Sequence, residues 1–275
     1  EVGQVLAGAG IAPAVLSSDD RLVWTRRVLD DGELFFVANT SDKALEAELD
    51  FRVAGKAPEI WRADTGAATP AGYVIDGPRT RVPLALAPYD AVFVVFRQPA
   101  KIASRSAPVG ITTTLAEVAG PWTVRFTPGL DAPASMTLDA LGSWTEQPDP
   151  GVRYFSGAAT YEKTLTVPKT WLRSGARLTL DLGEVREFAT VTLNGKALPV
   201  LWKPPFAVDV TDQVRPGQNR LEIRIVNFWA NRMIGDLQPG APKHTFAPIQ
   251  PFEPSSPLSR SGLLGPVTLQ RQETR

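Results

Sequence analysis

A chain of 275 residues has room for two ordinary domains, and 43% hydrophobic with 21% charged residues sets it apart from a disordered polymer. Its 29 basic and 29 acidic side chains cancel, which removes the basic excess that a nucleic-acid footprint needs. Without cysteine there is neither a disulfide framework nor a thiolate zinc site, and no apolar run reaches the roughly eighteen residues of a membrane-spanning helix.

Residues 1–16, EVGQVLAGAGIAPAVL, are expected to form one short helix ended by Gly10 and Pro13. They lack a basic n-region and so do not read as a signal peptide. With no initiating Met, the chain is expected to be a mature product or a piece of something longer. Strand-like runs follow at 22–27, 33–38, 44–51, 59–61, 73–75, 80–86 and 91–97. In the third, Leu45, Ala47, Leu49 and Phe51 alternate with Glu46, Glu48 and Asp50, the period of a strand with one buried and one wet face. Asp31-Gly32, Ala54-Gly55, Thr65-Gly66 and Asp76-Gly77 supply turns. This spacing predicts a small β-sandwich over residues 1–98. Residues 99–109 are small, polar and aperiodic, and read as a linker.

The second domain, 110–275, shows alternation in Trp122, Val124 and Phe126. Residues 127–150 read as loop, with one helical turn over 138–144. A strand over 160–167 precedes four alternating runs: Leu178, Leu180, Leu182; Ala189, Val191, Leu193; Phe206, Val208, Val210; Leu221, Ile223, Ile225. These are predicted to make the core of one antiparallel sheet. Asn194-Gly195 fits a tight type I′ hairpin turn, because both residues tolerate positive φ, and residues 216–219, PGQN, form a second turn. Beyond Asn227 regularity fails. Residues 227–262 hold six prolines and are too long for a plain connector. A terminal strand returns at 263–270. The fold expected is all-β, two β-sandwich domains, the second a jelly roll.

Catalytic chemistry finds little purchase. His244, the single histidine, lies in the proline-rich loop without a GxSxG elbow and reads as an ordinary loop residue. Glycoside hydrolysis needs two carboxyl groups about 5–9 Å apart. Glu184 with Glu187, Glu146 with Asp149, and Asp236 are the candidates, each more simply read as solvated. No catalytic residue and no metal ligand is assigned, no cofactor is expected, and a structural calcium stays open. Sugar binding needs flat aromatic faces and planar polar groups. Trp202 sits at a strand-to-loop junction, and Trp229, Asn231, Arg232 and Asp236 crowd together just after the last strong strand. Stapling the long loop or lining an interface is the favoured role for these five, ahead of direct sugar contact. Arg232 and Asp236 are close enough in sequence to pair.

The segments YFSGAATYEKTL, LDLGEVREFATVTLNGKAL, LWKPPFAVDVTDQVRPGQNRLEIRIVNFWANRMIGD and SGLLGPVTL resemble the galactose-binding-like jelly roll of family 2 glycoside hydrolases. NRMIGD and SGLLGPV narrow the resemblance to the C-terminal region of family 106 α-L-rhamnosidases, as do LFFVANTSDKALEAELDFRVAGKAPEIWRADTG and RVPLALAPYDAVFVVFR in the first domain. The resemblance implies a longer parent enzyme with an upstream catalytic barrel carrying an acid and a base carboxylate. This chain would then be a non-catalytic accessory portion that buttresses the barrel, its partners being that barrel and a rhamnose-containing glycan, in a periplasmic or secreted setting. A free-standing carbohydrate-binding module is the alternative.

Overall fold

The computed structural model describes residues 5, 8–107 and 110–274. By internal contacts the chain divides into two compact units, Glu1–Val109 and Gly110–Arg275. Of the helix expected over 1–16, residues 1–4, 6 and 7 lie outside the described residues; among the rest Val5 and Gly8 are helical, the Ala9 N–H donates to the Val5 carbonyl at 3.0 Å, and Gly10 takes φ of 75° where the helix was expected to end. The stretch then leaves helix, and β1 (Val15–Ser17) is a strand.

Nine more strands complete the first unit: β2 (Leu22–Leu29), β3 (Gly32–Asn39), β4 (Leu45–Phe51), β5 (Lys56–Trp61), β6 (Ala68–Pro70), β7 (Tyr73–Asp76), β8 (Arg79–Leu86), β9 (Ala91–Pro99) and β10 (Ser104–Arg105). They form two antiparallel sheets, ordered β1-β4-β8-β7-β10 and β2-β3-β9-β5-β6. All seven predicted strands are present. The three extra ones are too short to display a period. β10 pairs with β7 through Ser104↔Val74, so the aperiodic stretch read as linker supplies a sheet edge. In β4 the alternation buries Leu45, Ala47, Leu49 and Phe51 and exposes Glu46 and Glu48. Phe35 of one sheet meets Phe51 of the other at 4.8 Å, and Phe96 closes the cluster at 5.3 Å from Phe51. Each such buried ring contributes about 1.5–3 kcal/mol.

The second unit holds β11 (Gly110–Glu117), β12 (Trp122–Phe126), β13 (Ser135–Leu138), β14 (Ala158–Val167), β15 (Arg177–Asp181), β16 (Glu184–Arg186), β17 (Phe188–Leu193), β18 (Lys196–Ala197), β19 (Ala207–Asp209), β20 (Gly217–Val226), β21 (Gly262–Gly265) and β22 (Thr268–Thr274). A six-stranded sheet runs β13-β12-β14-β20-β17-β18 and a four-stranded sheet runs β11-β22-β15-β19, with β16-β21 as a small pair. The all-β expectation is met. The four alternating runs do not share one sheet, however: β17 and β20 lie in the six-stranded sheet, β15 and β19 in the other. Period two marks a buried face but not which layer owns it, and both layers of a sandwich bury one face.

Asn194 and Gly195 take φ of 53° and 83°, as a two-residue hairpin loop requires. Their hairpin joins β17 to the short β18 by Leu193↔Lys196. Asn194 Nδ2 also donates to Asn219 Oδ1 at 2.8 Å, and Asn219 Nδ2 donates to the Arg215 and Gly217 carbonyls. One amide pair, buried at Asn219 and half-buried at Asn194, thus holds both predicted turns.

Residues 127–157 are largely loop, yet they bury Trp144, Val152 and Phe155. The helical turn lies later than expected, at Trp144–Glu146 behind a Ser143 cap, because Ser135–Leu138 is a strand. Trp144 Nε1 donates to the Tyr161 hydroxyl at 2.7 Å, which also accepts the Leu263 N–H at 3.1 Å. Burial, the largest influence, pushes the Tyr161 hydroxyl up to about 12. A Cβ on Gly262 would lie 2.7 Å from Trp144 Nε1, so the SGLLGPV glycine is required for this packing.

Candidate functional site

The site begins where β20 ends. Asn227 turns the chain by accepting the Gly157 N–H at 2.8 Å and donating to the Phe155 carbonyl at 2.9 Å. A short helix, Ala230–Gly235, follows, with Asn231, Arg232, Met233 and Ile234 buried. The helix is buried although Phe228 and Trp229 just before it are exposed, and Ser156 reaches its first turn, its hydroxyl accepting the Arg232 N–H at 3.3 Å.

Three of the five predicted site residues converge on this helix and are consumed by structure. Arg232 Nε donates to Asp236 Oδ1 at 2.8 Å, with both side chains buried. The pair is a single hydrogen bond, because Asp236 Oδ2 is taken by the loop. It accepts the His244 N–H at 3.0 Å, and the Thr245 N–H and hydroxyl at 2.6 Å each. Burial alone would raise the Asp236 pKa. The Thr245 hydroxyl, the two backbone N–H groups and the Arg232 charge outweigh it and hold the carboxyl below the usual range. The solvated reading of Asp236 therefore fails. Asn231 receives the far end of the loop, donating to the Ser259 carbonyl at 2.7 Å and accepting the Ser259 N–H at 2.9 Å. Between these ties Gln238 Nε2 donates to the Pro254 carbonyl at 2.9 Å.

His244 is more than an ordinary loop residue. Its Nε2 lies 2.6 Å from Asp131 Oδ2, and Arg232 Nη1 is 4.0 Å from the same oxygen. Asp131 stands 113 positions earlier, a separation that leaves no trace in local sequence. Two of the other carboxyl candidates are also occupied. Asp149 caps a helix by accepting the Gly151 N–H at 2.7 Å, and Glu184 binds Arg186 and Arg260. Among the described residues no group of three or more His, Asp or Glu side chains is placed to hold a metal ion.

The two tryptophans behave differently. Trp202 is 57% exposed and Trp229 69%. Phe228, beside Trp229 in the chain, meets Phe188 at 6.1 Å. Farther along, the tethered loop carries Phe246 and Ile249 at 91% and 80% exposure.

A sandwich of this topology, closed by a strapped loop and a returning strand, is a galactose-binding-like domain. Residues 149–251 match the family model described as glycosyl hydrolase 2 galactose-binding domain-like, and residues 1–75 match the one described as alpha-L-rhamnosidase. The structure of a rhamnosidase from Novosphingobium sp. PP1Y superposes with a TM-score of 0.91 at 38% identity, over 98% of this chain and 26% of that one. A protein of Formosa agariphila with a provisional β-glucuronidase name is 38% identical in an alignment 176 residues long that covers 55% of this chain and 15% of that protein. The resemblance to the α-L-rhamnosidase family thus extends through both units, while the chain spans about a quarter or less of these relatives' length.

Proposed function

We propose that this chain is the non-catalytic accessory portion of an α-L-rhamnosidase-like glycoside hydrolase, and that its proline-rich loop docks on a catalytic barrel of the same protein. The observation that carries the proposal is the loop itself. Its two ends are fixed to the helix Ala230–Gly235 by buried polar groups, yet its tip holds Phe246 and Ile249 in water. Ordering an irregular segment that presents large apolar side chains is unfavourable unless something covers them. The similarity to a rhamnosidase roughly four times as long supports a larger parent that would carry such a partner. On this reading the partner hydrolyses a terminal α-L-rhamnoside with a general acid and a general base, and the candidate carboxylates here serve structure.

Two measurements test it. The purified chain should leave an aryl α-L-rhamnoside intact, and turnover abolished by Glu184→Gln or Glu187→Gln would overturn the non-catalytic role. In a polypeptide that joins this chain to a rhamnosidase barrel, Phe246→Asp with Ile249→Asp should lower the melting temperature of the barrel. An unchanged barrel transition would remove the docking role from the loop.

A further inference from the structure

The outer face of the six-stranded sheet divides sharply. Its residues fall into rows set by the ladder register. One row is Thr192, Glu222 and Glu162, the next Thr190, Arg224 and Thr160, and the last, at the end where β20 leaves the sheet, Phe188, Val226 and Ala158. The end row is apolar. The antiparallel bridge Ala189↔Leu201 sets Trp202 beside Phe188, and since Leu201 packs on the core, alternation turns Trp202 outward with Phe188. Phe228 closes on Phe188 from above. The result is an exposed aromatic strip at one end of the sheet.

The neighbouring charges are not balanced. Arg125 binds Glu162 at 3.0 Å and Arg220 binds Glu222 at 2.6 Å, so both acids of this face are already neutralised. Arg224 has no ion-pair partner among the described residues. It is exposed and lies between two threonine hydroxyls, one row from the aromatic strip.

We infer that this end of the sheet binds an anionic glycan, with Trp202 and Phe188 stacking on pyranose faces and Arg224 taking an acidic substituent, either a uronate carboxylate or a sulfate ester. Flat aromatic rings match the C–H face of a sugar, and a guanidinium grips a planar or tetrahedral oxyanion through paired N–H donors. Threonine hydroxyls on either side suit ring hydroxyls. A surplus cation beside aromatic rings selects an acidic glycan over a neutral one. The choice of a glycan as partner rests on the glycoside-hydrolase reading above. Apart from Phe228 at the root of the proline-rich loop, the site lies on the sheet, away from the loop tip, and its test needs no catalytic barrel, so either proposal can fail alone.

The experiment is calorimetric titration of the whole 275-residue chain with three probes: a galacturonic acid oligomer, a sulfated carrageenan oligomer, and a neutral cello-oligosaccharide of equal length. At least one acidic probe should bind about tenfold or more tighter than the neutral one, and whichever acidic probe leads identifies the substituent. Arg224→Ala should erase that preference. Arg224→Lys should keep part of it, because an ammonium retains charge but not the fork. Trp202→Ala should weaken acidic and neutral probes alike. All three changes are at exposed positions, and unchanged melting temperatures will show the sheet intact. Equal affinity for acidic and neutral probes, no binding of any probe, or an Arg224→Ala variant that keeps the preference would each overturn the proposal. Self-association of the chain that Trp202→Ala abolishes, with no change in probe binding, would assign the strip to protein contact and overturn it too.

Discussion

Residues 228–236 contain two populations that lie side by side in the chain and do opposite things. Asn231, Arg232 and Asp236 are buried and spend their hydrogen bonds on the chain itself. Phe228 and Trp229 leave their rings largely in water, although the Phe228 carbonyl accepts the Ser156 hydroxyl at 2.9 Å. The inverted arrangement, polar inside and aromatic outside, is unfavourable unless each buried polar atom is paired. Here the pairing is what converts a proline-rich excursion into a fixed loop. A dense polar cluster therefore marks where the chain is fastened, and the aromatic side chains beside it mark where surface is left for something else.

The sharpest way to break this contrast is to remove the buried charge pair. Arg232→Ala leaves Asp236 uncompensated and should lower unfolding free energy by about 3–5 kcal/mol, read by urea denaturation of the second unit, with faster proteolysis between residues 237 and 261. A loss below about 1 kcal/mol would place the pair among weak surface contacts.

Asp236→Asn should be comparably damaging at neutral pH, and its pH dependence sharpens the assignment. The folded carboxyl titrates below the usual range, while the unfolded one titrates near its ordinary ~3.9. Its stabilisation is thus complete above the unfolded value and is lost as pH falls through the lower, folded value. The gap between wild type and Asp236→Asn should hold steady down to about pH 4 and then narrow. A gap that widens with acid would contradict the sign.

Asn231→Ala should cost about 1–3 kcal/mol, since it strands the Ser259 N–H and carbonyl. Cleavage should then concentrate at the returning end of the loop, near residues 254–261, while the His244 end stays closed. Smallest of all, Trp229→Ala should change stability by less than about 0.5 kcal/mol, measured in the same denaturation series. A loss as large as that of Asn231→Ala would mean that Trp229 packs into the fold after all.

Much of this was legible in the sequence. Strand positions followed from strict alternation, and the Asn194-Gly195 hairpin from two residues that accept positive φ. The Arg232–Asp236 pair was readable because opposite charges stand four residues apart, although the short helix that aligns them was not. Three features were not readable, each for a physical reason. Sheet membership escaped because β15 and β17 carry the same period in different layers. The core role of residues 127–157 escaped because Trp144, Val152 and Phe155 are inserted by a loop that has no period. His244 with Asp131 escaped because the contact is made by folding alone, across most of the second unit.

The loop ties carry one more consequence. Fastening occurs at Thr245 on one side and at Pro254 and Ser259 on the other, so residues 246–253 form a closed ring of chain whose ends are fixed independently of what lies between. For such a ring the entropy of closure grows only logarithmically with contour length, about 0.6 kcal/mol for each doubling. The tip can therefore lengthen or shorten by several residues while the sandwich beneath it keeps its register. Reach becomes a variable that insertions and deletions can tune separately from folding, and relatives with differently spaced neighbours could be served by the same scaffold.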